Sequence, residues 1–216
     1  DHIFIPEYYN PEIRKELESL KENGKYSLVS IGELIDKRIL QIKRGDEIGS
    51  QFYGTGDIPF VRTSDIVNWE IKFDPVKAVS EDIYNQYKDS QDIQENDILF
   101  VNDGTFLIGR TAMVTNLDLK IIIQSHIKKI RVLDKKFIDP FYLFYLLNTK
   151  IVRKQIDSKT FVQATISTIG NRLREIVLPI SKDENEIKEI VKEVKDIIGE
   201  KADLRKKIIN IVEKSI

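Results

Sequence analysis

A regular apolar stripe in residues 183–216 constrains the fold of this chain more than any other feature. After Pro179, Asp183 and Glu186 form a capping-box-like helix start. The stripe then advances in steps of three and four, broken only by Lys201; its members are Ile187, Ile190, Val194, Ile197, Leu204, Ile208 and Ile211. A seven-residue repeat over about five turns is typical of a coiled-coil seam. We therefore expect a long helix that packs on another helix or subunit, with packing on its own domain as the alternative.

Length and composition exclude several classes of protein. The chain has 216 residues, is 41% hydrophobic and contains no cysteine. It can bury a core without disulfides, and it has no thiolate metal site. It contains neither an apolar run of about 18 residues nor a basic segment followed by an apolar one. We expect no membrane span, no secretion signal and a cytoplasmic location.

Charge is nearly balanced along the chain. The net charge is -1, whereas proteins that coat nucleic acid without sequence preference usually carry a large basic excess. Residues 1–24 carry three basic and six acidic groups, residues 25–181 carry 22 and 20, and residues 182–216 carry nine and nine. The faintly basic middle segment permits a polarised binding face, although a mixed solvated surface explains most single charges.

The pattern changes from helix to strand near residue 26. Residues 6–22 predict a short lead-in helix, since Asn10 and Pro11 suit its start and Gly24 suits its end. Beyond it, runs rich in Val, Ile, Phe and Thr alternate with Gly, Asn and Asp, which is typical of strands and turns. The predicted strands are SLVSI, IPFVR, DILFV, RTAMV, KIIIQ and IKKIRV.

A second helix completes the body. Asp139 can accept hydrogen bonds from free N–H groups and Pro140 suits the first helical position, so we predict a helix over residues 141–154. Residues 157–178 return to loop and strand. The predicted fold class is α/β (α+β), strand-rich with short helices and a long coiled-coil-type helix. Its segments are a lead-in helix (1–25), a body (26–181) and the C-terminal helix (182–216).

Three patterns that look like cofactor or catalytic motifs lack the context such motifs need. Residues 104–111 (GTFLIGRT) have the spacing of a phosphate-binding loop, but Arg replaces Lys and strand-like sequence follows. Residues 139–142 (DPFY) lack the second proline of the Asp/Asn-Pro-Pro-Tyr signature of adenine-N6 methyltransferases. His2 and His126 cannot form a metal cluster unaided. We predict no catalytic centre and no metal site.

Three stretches in order resemble a known family. They are GDIPFVRTSDI (56–66), DILFVNDGT (97–105), and ATISTI (164–169) running into IVLPI (176–180). Together they are similar to the target recognition domains of Type I restriction-modification specificity subunits. The similarity spans about residues 26–216, because the long helix resembles the family's conserved spacer helix. The resemblance implies sequence-specific recognition of double-stranded DNA.

The resemblance also implies partners. In this family the globular part reads half of a split target, and the helix holds it against methyltransferase modules that carry S-adenosylmethionine and flip the adenine. We therefore expect no cofactor in this chain, an adenine-N6 DNA methyltransferase subunit or domain as partner, a second recognition domain reached through the helix, and a restriction endonuclease as an optional component. Residues 179–185 (PISKDEN) depart from the family's Pro-Pro-x-x-Glu-Gln, and residues 6–13 (PEYYNPEI) look more like the specificity region of a fused adenine methyltransferase. Both parent architectures stay open.

Polar and basic loop residues are the candidate DNA contacts. Base reading needs donors and acceptors on short loops over a rigid sheet, and phosphate contacts need basic residues. The candidates are Lys43, Arg44, Ser50, Gln51, Tyr53, Arg62, Thr63, Ser64, Asn102, Asp103, Thr105, Arg110, Gln124, Ser125, His126, Gln163 and Thr165. Arg44, Gln51, Arg62 and Arg110 are the strongest, since Arg and Gln make bidentate base contacts and turn chemistry does not require them.

Simpler explanations exist for these residues and for the chain. Residues 102–104 can simply make a turn, residues 63–65 can cap a helix, and His126 can be a hydrogen-bonded core histidine. Two rival functions compete with DNA reading. One is a scaffold module that acts through the C-terminal helix without nucleic acid, and the other is a nucleotide-binding enzyme that uses residues 104–111.

Overall fold

A mixed α/β fold that ends in one long helix is formed by residues 6–72, 75–104, 106–163 and 166–213, which the computed structural model describes. The helices are α1 (Pro11–Glu22), α2 (Ile31–Asp36), α3 (Glu81–Gln91), α4 (Pro140–Asn148), α5 (Lys150–Ser158) and α6 (Glu184–Glu213). The strands are β1 (Tyr26–Ser30), β2 (Leu40–Arg44), β3 (Ile58–Val61), β4 (Ile66–Val67), β5 (Glu70–Ile71), β6 (Ala78–Val79), β7 (Ile98–Val101), β8 (Asp103–Gly104), β9 (Thr111–Met113), β10 (Ile122–Ile123), β11 (Ile127–Val132), β12 (Phe161–Gln163), β13 (Ile166–Thr168) and β14 (Val177–Ser181). The predicted fold class is confirmed, and each predicted strand run contains a strand.

The central sheet has the order β2-β11-β7-β9 and is antiparallel throughout. Strand β7 is buried on both faces: Ile98 and Phe100 lie in one core, and Leu99 and Val101 lie in a second. This division follows from the two-residue period of a strand. The sheet is therefore a rigid, double-sided support for the loops at its ends.

Smaller sheets flank this support. Strand β3 pairs with β10 in parallel and with β6 in antiparallel, and α3 packs on them around a third core that contains Phe60 and Ile122. Strand β13 lies between β12 and β8, and β1 pairs with β14. These pairings bring residues that are distant in sequence to the ends of the central strands.

The second predicted helix is two helices in the structure. Asp139 caps α4 as expected, because its side chain accepts a hydrogen bond from the Phe141 N–H at 2.7 Å. The predicted continuation over residues 141–154 is wrong, since Thr149 is extended with ψ 151° and is the N-cap of α5. The Asn148 side chain bonds the Phe144 carbonyl and the Thr149 hydroxyl bonds the Leu146 carbonyl, at 2.8 and 2.7 Å. These bonds satisfy carbonyls at the end of α4.

The first and last helices share the first core with the body. Ile13 and Leu17 of α1 pack against it, and Val194 and Ile198 of α6 are buried in it. The predicted cap of α6 is present, since Asp183 accepts hydrogen bonds from the N–H groups of residues 185 and 186. The three predicted segments therefore pack as one body in the described part of the chain.

Candidate nucleic-acid interface

The buried carboxylate of Asp103 is the centre of a polar cluster. Asp103 is 7% exposed. Its Oδ1 accepts hydrogen bonds from Asn102 Nδ2 at 2.5 Å and from the Thr168 hydroxyl. Its Oδ2 lies 3.3 Å from Arg44 Nη2 and 3.4 Å from His126 Nδ1. Three of the sequence-predicted candidates thus converge on a fourth, so the turn at residues 102–104 does more than reverse the chain.

Strand direction explains why these residues meet. Arg44 ends β2, Asn102 follows β7, and His126 precedes β11. Because β11 is antiparallel to both β2 and β7, the ends of β2 and β7 and the start of β11 lie at one sheet edge. Gly45 then lets the chain leave this edge, since a Cβ there would lie 2.4 Å from the carbonyl oxygens of residues 123 and 124. We call this edge, with Arg44, Asn102, Asp103 and His126, the Asp103 edge.

Arg44 is both exposed and held. Its side chain is 58% exposed, yet Nε donates to the Ser125 carbonyl at 2.5 Å and Nη2 faces Asp103. Nη1 has no hydrogen-bond partner among the described residues. Since the other two nitrogens are engaged, the guanidinium plane has a fixed orientation and can present its remaining donors outward.

An open cavity of about 460 Å³ lies in front of this cluster. Its lining residues are Arg44, Asn102, Asp103, His126, Lys128, Thr168, Gly170 and Asn171. Lys128 donates to the Gly170 carbonyl at 2.8 Å, and burial lowers the pKa of its ammonium group. Asn102 Oδ1 is buried and has no hydrogen-bond partner among the described residues. The cavity therefore offers cationic donors and lies beside a buried acceptor, Asn102 Oδ1.

Sequence reasoning missed several residues of this cavity. Lys128 is one of three basic residues in β11, whose sequence is IKKIRV, and such basic residues within a strand are a signal that could have identified it. Thr168 lies in the stretch ATISTI (164–169) that resembles the family, but its residue type alone predicts no role in the site. Asn171 follows it in a short helical turn, residues 170–175. No pattern in the sequence marks Asn171 as part of the site.

Arg62 and residues 124–126 lie near one another. The Gln124 N–H donates to the Val61 carbonyl at 2.9 Å, which places Arg62 beside the turn that leads to His126. Residues 63–65 form a short 3₁₀ turn, and Asp65 accepts a hydrogen bond from the Arg62 N–H at 2.9 Å. Thr63 and Ser64 therefore serve this turn, while Arg62 Nε is buried without a partner among the described residues.

Arg110 reaches the end of β7 from another loop. It is exposed, and its carbonyl accepts a hydrogen bond from the Val101 N–H at 2.9 Å. Thr105 and Thr165 lie outside the described residues, and only the backbone of Gln163 is described. Ser125 donates to Glu47 at 2.6 Å. The contacts of Arg110 and Ser125 within the described residues do not identify a ligand for either side chain.

The other candidates either make contacts within the fold or lie on a separate turn. Lys43 Nζ donates to the Ser90 carbonyl at 3.2 Å at the end of α3. Tyr53 stacks on Phe60 of the third core with ring centroids 5.5 Å apart. Ser50 and Gln51 lie exposed on a 3₁₀ turn. The contacts of Lys43 and Tyr53 hold the domain together, whereas Ser50 and Gln51 remain accessible.

The structure divides the predicted helix seam between two surfaces. Ile187, Ile190 and Val194 pack on the domain's own core, and Val194 is only 4% exposed. The remaining members lie exposed, by 36% to 66%; they are Ile197, Leu204, Ile208 and Ile211. Lys201, which interrupts the seam, instead pairs with Glu70 of the body at 2.9 Å. Packing on the domain's own core is therefore realised for the first part of the stripe, whereas the second part is exposed.

The catalytic and cofactor patterns find no supporting geometry in the described residues. Residues 104–111 connect β8 to β9, and no helix follows them as a phosphate-binding loop requires. Tyr142 of the DPFY stretch is 2% exposed, and its hydroxyl accepts the Ser181 N–H at 3.0 Å. No group of three or more His, Cys, Asp or Glu side chains there could hold a metal ion. No described helix is long and apolar enough to cross a membrane.

Comparisons with known proteins found one family model and solved structures similar to this chain. The model of the Type I restriction modification DNA specificity domain matches residues 22–214. The Type I restriction-modification S subunit from M. genitalium is 16% identical with a TM-score of 0.59, over 88% of this chain and 43% of that one. A structure that describes complex assembly and conformational transition of the type I R-M system is 16% identical with a TM-score of 0.50, over 88% and 42%. This chain thus spans less than half the length of either, and no curated protein matches it.

Proposed function

Because this chain belongs to the family of Type I restriction-modification DNA specificity domains, we propose that it selects the DNA target of an adenine-N6 methyltransferase and takes no catalytic part itself. The methyltransferase would bind S-adenosylmethionine and flip the adenine. A second recognition domain is a further proposed partner, because this chain covers 43% of an S subunit with a similar fold. Family membership does not favour a scaffold module that binds no DNA.

The observation that carries this proposal is the way the domain holds Arg44. Its guanidinium is anchored to a buried carboxylate, Asp103, which is itself fixed by Asn102 and Thr168. An arginine oriented in this way, with outward donors, suits bidentate contact with guanine O6 and N7, the commonest specific contact in the major groove. Pre-orientation also lowers the entropy lost on binding. A surface arginine that contacts only phosphates needs no such anchor.

The test separates base reading from phosphate attraction. The chain, assembled with its methyltransferase partner, is presented with a randomised duplex library. Arg44→Ala should relax the preference at one base pair, at a cost of about 1–3 kcal/mol for the preferred base. Arg44→Lys keeps the charge but loses the bidentate fork, so we expect it to relax the same base pair. Arg14, an exposed arginine paired with Glu18 on α1, provides the matched control: Arg14→Ala should leave the selected sequence unchanged.

Two results would contradict this assignment. If the assembly that contains the unaltered chain enriches no sequence, the proposed function is wrong. If Arg44→Lys retains the full preference, Arg44 contacts a phosphate and the base reader lies elsewhere on the Asp103 edge. Arg62 and Arg110 would then be the next arginines to substitute, since both reach the ends of the strands that form this edge.

The exposed part of α6 is the proposed contact with a partner helix. Ile197, Leu204, Ile208 and Ile211 are 36% to 66% exposed and form the second part of the apolar stripe. Exposed apolar residues at three- and four-residue spacing suit knobs-into-holes packing. The partner would be the helix of a second recognition domain or of the methyltransferase. This contact would place the recognition loops at a fixed distance from the methyltransferase.

A further inference from the structure

Phe106 has the most exposed large apolar side chain of the described residues, at 90%. It lies in the loop between β8 and β9. Its neighbours in sequence turn inward: Leu107 packs against the second core and Ile108 is buried in the first. Leu107 and Ile108 therefore anchor the loop to the cores, while the aromatic side chain of Phe106 extends into solvent.

Backbone hydrogen bonds hold the base of this loop. The Gly109 N–H donates to the Val101 carbonyl at 2.8 Å, and the Arg110 N–H donates to the Leu107 carbonyl at 3.0 Å. Gly109 has φ 79°, a conformation that glycine adopts at little cost. Phe106 is thus attached to a fixed turn, so its exposure is a feature of the fold.

Phe106 is close to the Asp103 edge. Phe106 is three positions after Asp103 in the sequence, and a chain of that length spans at most about 10 Å. Stacked bases are about 3.4 Å apart along a strand. A duplex that contacts Arg44, which lies 3.3 Å from Asp103, is therefore within reach of Phe106 over about three base pairs.

The surroundings favour DNA over protein as the group that covers Phe106. Exposed Arg110 follows in the same loop, and the Asp103 edge is polar and cationic. Among the described residues, no other exposed large apolar side chain lies in this loop or in β7, β9 and β13. The core of a protein interface needs a contiguous apolar patch. The major groove presents isolated apolar groups, the C5-methyl groups of thymine.

We propose that Phe106 is a specificity-determining residue that contacts the C5-methyl group of a thymine, within about three base pairs of the base pair read by Arg44. This inference rests on the proposed function. Phe106 adds a methyl-dependent preference that the hydrogen-bonding side chains of the Asp103 edge do not supply, since apolar contact with the thymine methyl is a separate element of major-groove reading.

The test removes the methyl group from the DNA and the ring from the protein. In the sequence selected by the unaltered assembly, each thymine near the Arg44-dependent base pair is replaced singly by uracil. One replacement should weaken binding about fourfold, the weight of one buried methyl group. Phe106→Ala should weaken binding to thymine DNA at least as much and should abolish the effect of that uracil. Phe137 is 46% exposed beyond the opposite end of β11, so Phe137→Ala should still sense the uracil.

Several outcomes would overturn this inference while leaving the proposed function intact. One outcome is a selected sequence that contains no thymine near the Arg44-dependent base pair. Another is that Phe106→Ala responds to uracil like the unaltered chain. A third outcome is that Phe106→Ala weakens assembly with the methyltransferase and leaves the uracil effect unchanged, which would place Phe106 at the protein contact. Loss of all sequence selection by the unaltered assembly would instead refute the proposed function.

Discussion

The division of the α6 stripe into a buried part and an exposed part predicts different effects for two similar substitutions. Val194 is 4% exposed in the first core, and Ile208 is 48% exposed on the same helix. Val194→Ala removes two buried methyl groups, worth about 1.6 kcal/mol of transfer free energy. The cavity left behind raises the loss to about 2–3 kcal/mol, and alanine's better helix propensity returns up to about 0.6 kcal/mol. We expect the free energy of unfolding to fall by about 2 kcal/mol.

Urea unfolding of the isolated chain measures this difference. Ile208→Ala should change the free energy of unfolding by less than about 0.5 kcal/mol, because surface substitutions rarely do more. Its effect should appear in assembly with the partner helix, measured by sedimentation or by titration calorimetry. Equal loss of stability in both variants would show that the exposed half of α6 also packs on the domain. If Val194→Ala leaves the free energy of unfolding unchanged, the helix does not pack on the first core.

Three further substitutions test other contacts. Asp118 and Arg205 form an ion pair at 2.8 Å with side chains 2% and 11% exposed, so Asp118→Asn should lower the free energy of unfolding by about 3–5 kcal/mol in urea. A hydrogen bond to Glu175 raises the pKa of Tyr8 to about 12. The folding stability that this hydrogen bond contributes is therefore present below about pH 10 and lost as the pH approaches 12. Tyr8→Phe should remove the highest-pH step of a titration followed at the tyrosinate absorbance band. Asp103→Asn should weaken base selection at the base pair that Arg44→Ala relaxes, without loss of other preferences, in the same library selection.

Local chemistry made some elements predictable from sequence. The cap of α4 by Asp139 and the start of α6 at Asp183 need only side chains that accept hydrogen bonds from nearby N–H groups. Strand β7 was predictable because a short apolar run between turn residues suits a strand buried on both faces. In each case the deciding interaction joins residues that are close in sequence.

Helices α2 and α3 and the break after Asn148 were not predicted from the sequence. The two helices have local start signals, whereas the break depends on a distant partner. Helix α2 begins with a capping box of Ser30 and Glu33, but the strand-like run SLVSI masked it. Helix α3 is capped by Ser80 and has acidic residues in its first turn, which is also a local signal. The break after Asn148 involves a distant partner, because the Asn148 side chain also bonds Thr111 of β9.

The membership of the candidate site was predictable only in part, and its arrangement was not predictable from the sequence. Loop composition identified Arg44, Asn102, Asp103 and His126. It could not show that Asp103 is buried and orients Arg44, since this depends on the register of β11 with β2 and β7. Thr168 completes the cluster only because β13 pairs with β8. Tertiary pairing, rather than residue type, thus decides which polar loop residues become a site.

Although the net charge is near zero, the basic side chains fall into two groups: some form ion pairs within the fold, and others are exposed to solvent. Lys129 and Arg131 are bound by buried Asp97 and the end of α3, and Arg205 is bound by a buried carboxylate of the body. Arg44 and Arg110 are exposed near the ends of the central strands. Because the net charge is -1, counterion release would contribute modestly to the proposed affinity for DNA. Under the proposed function, discrimination would depend on base contacts at the Asp103 edge, and tight binding would depend on assembly with the proposed partner of α6.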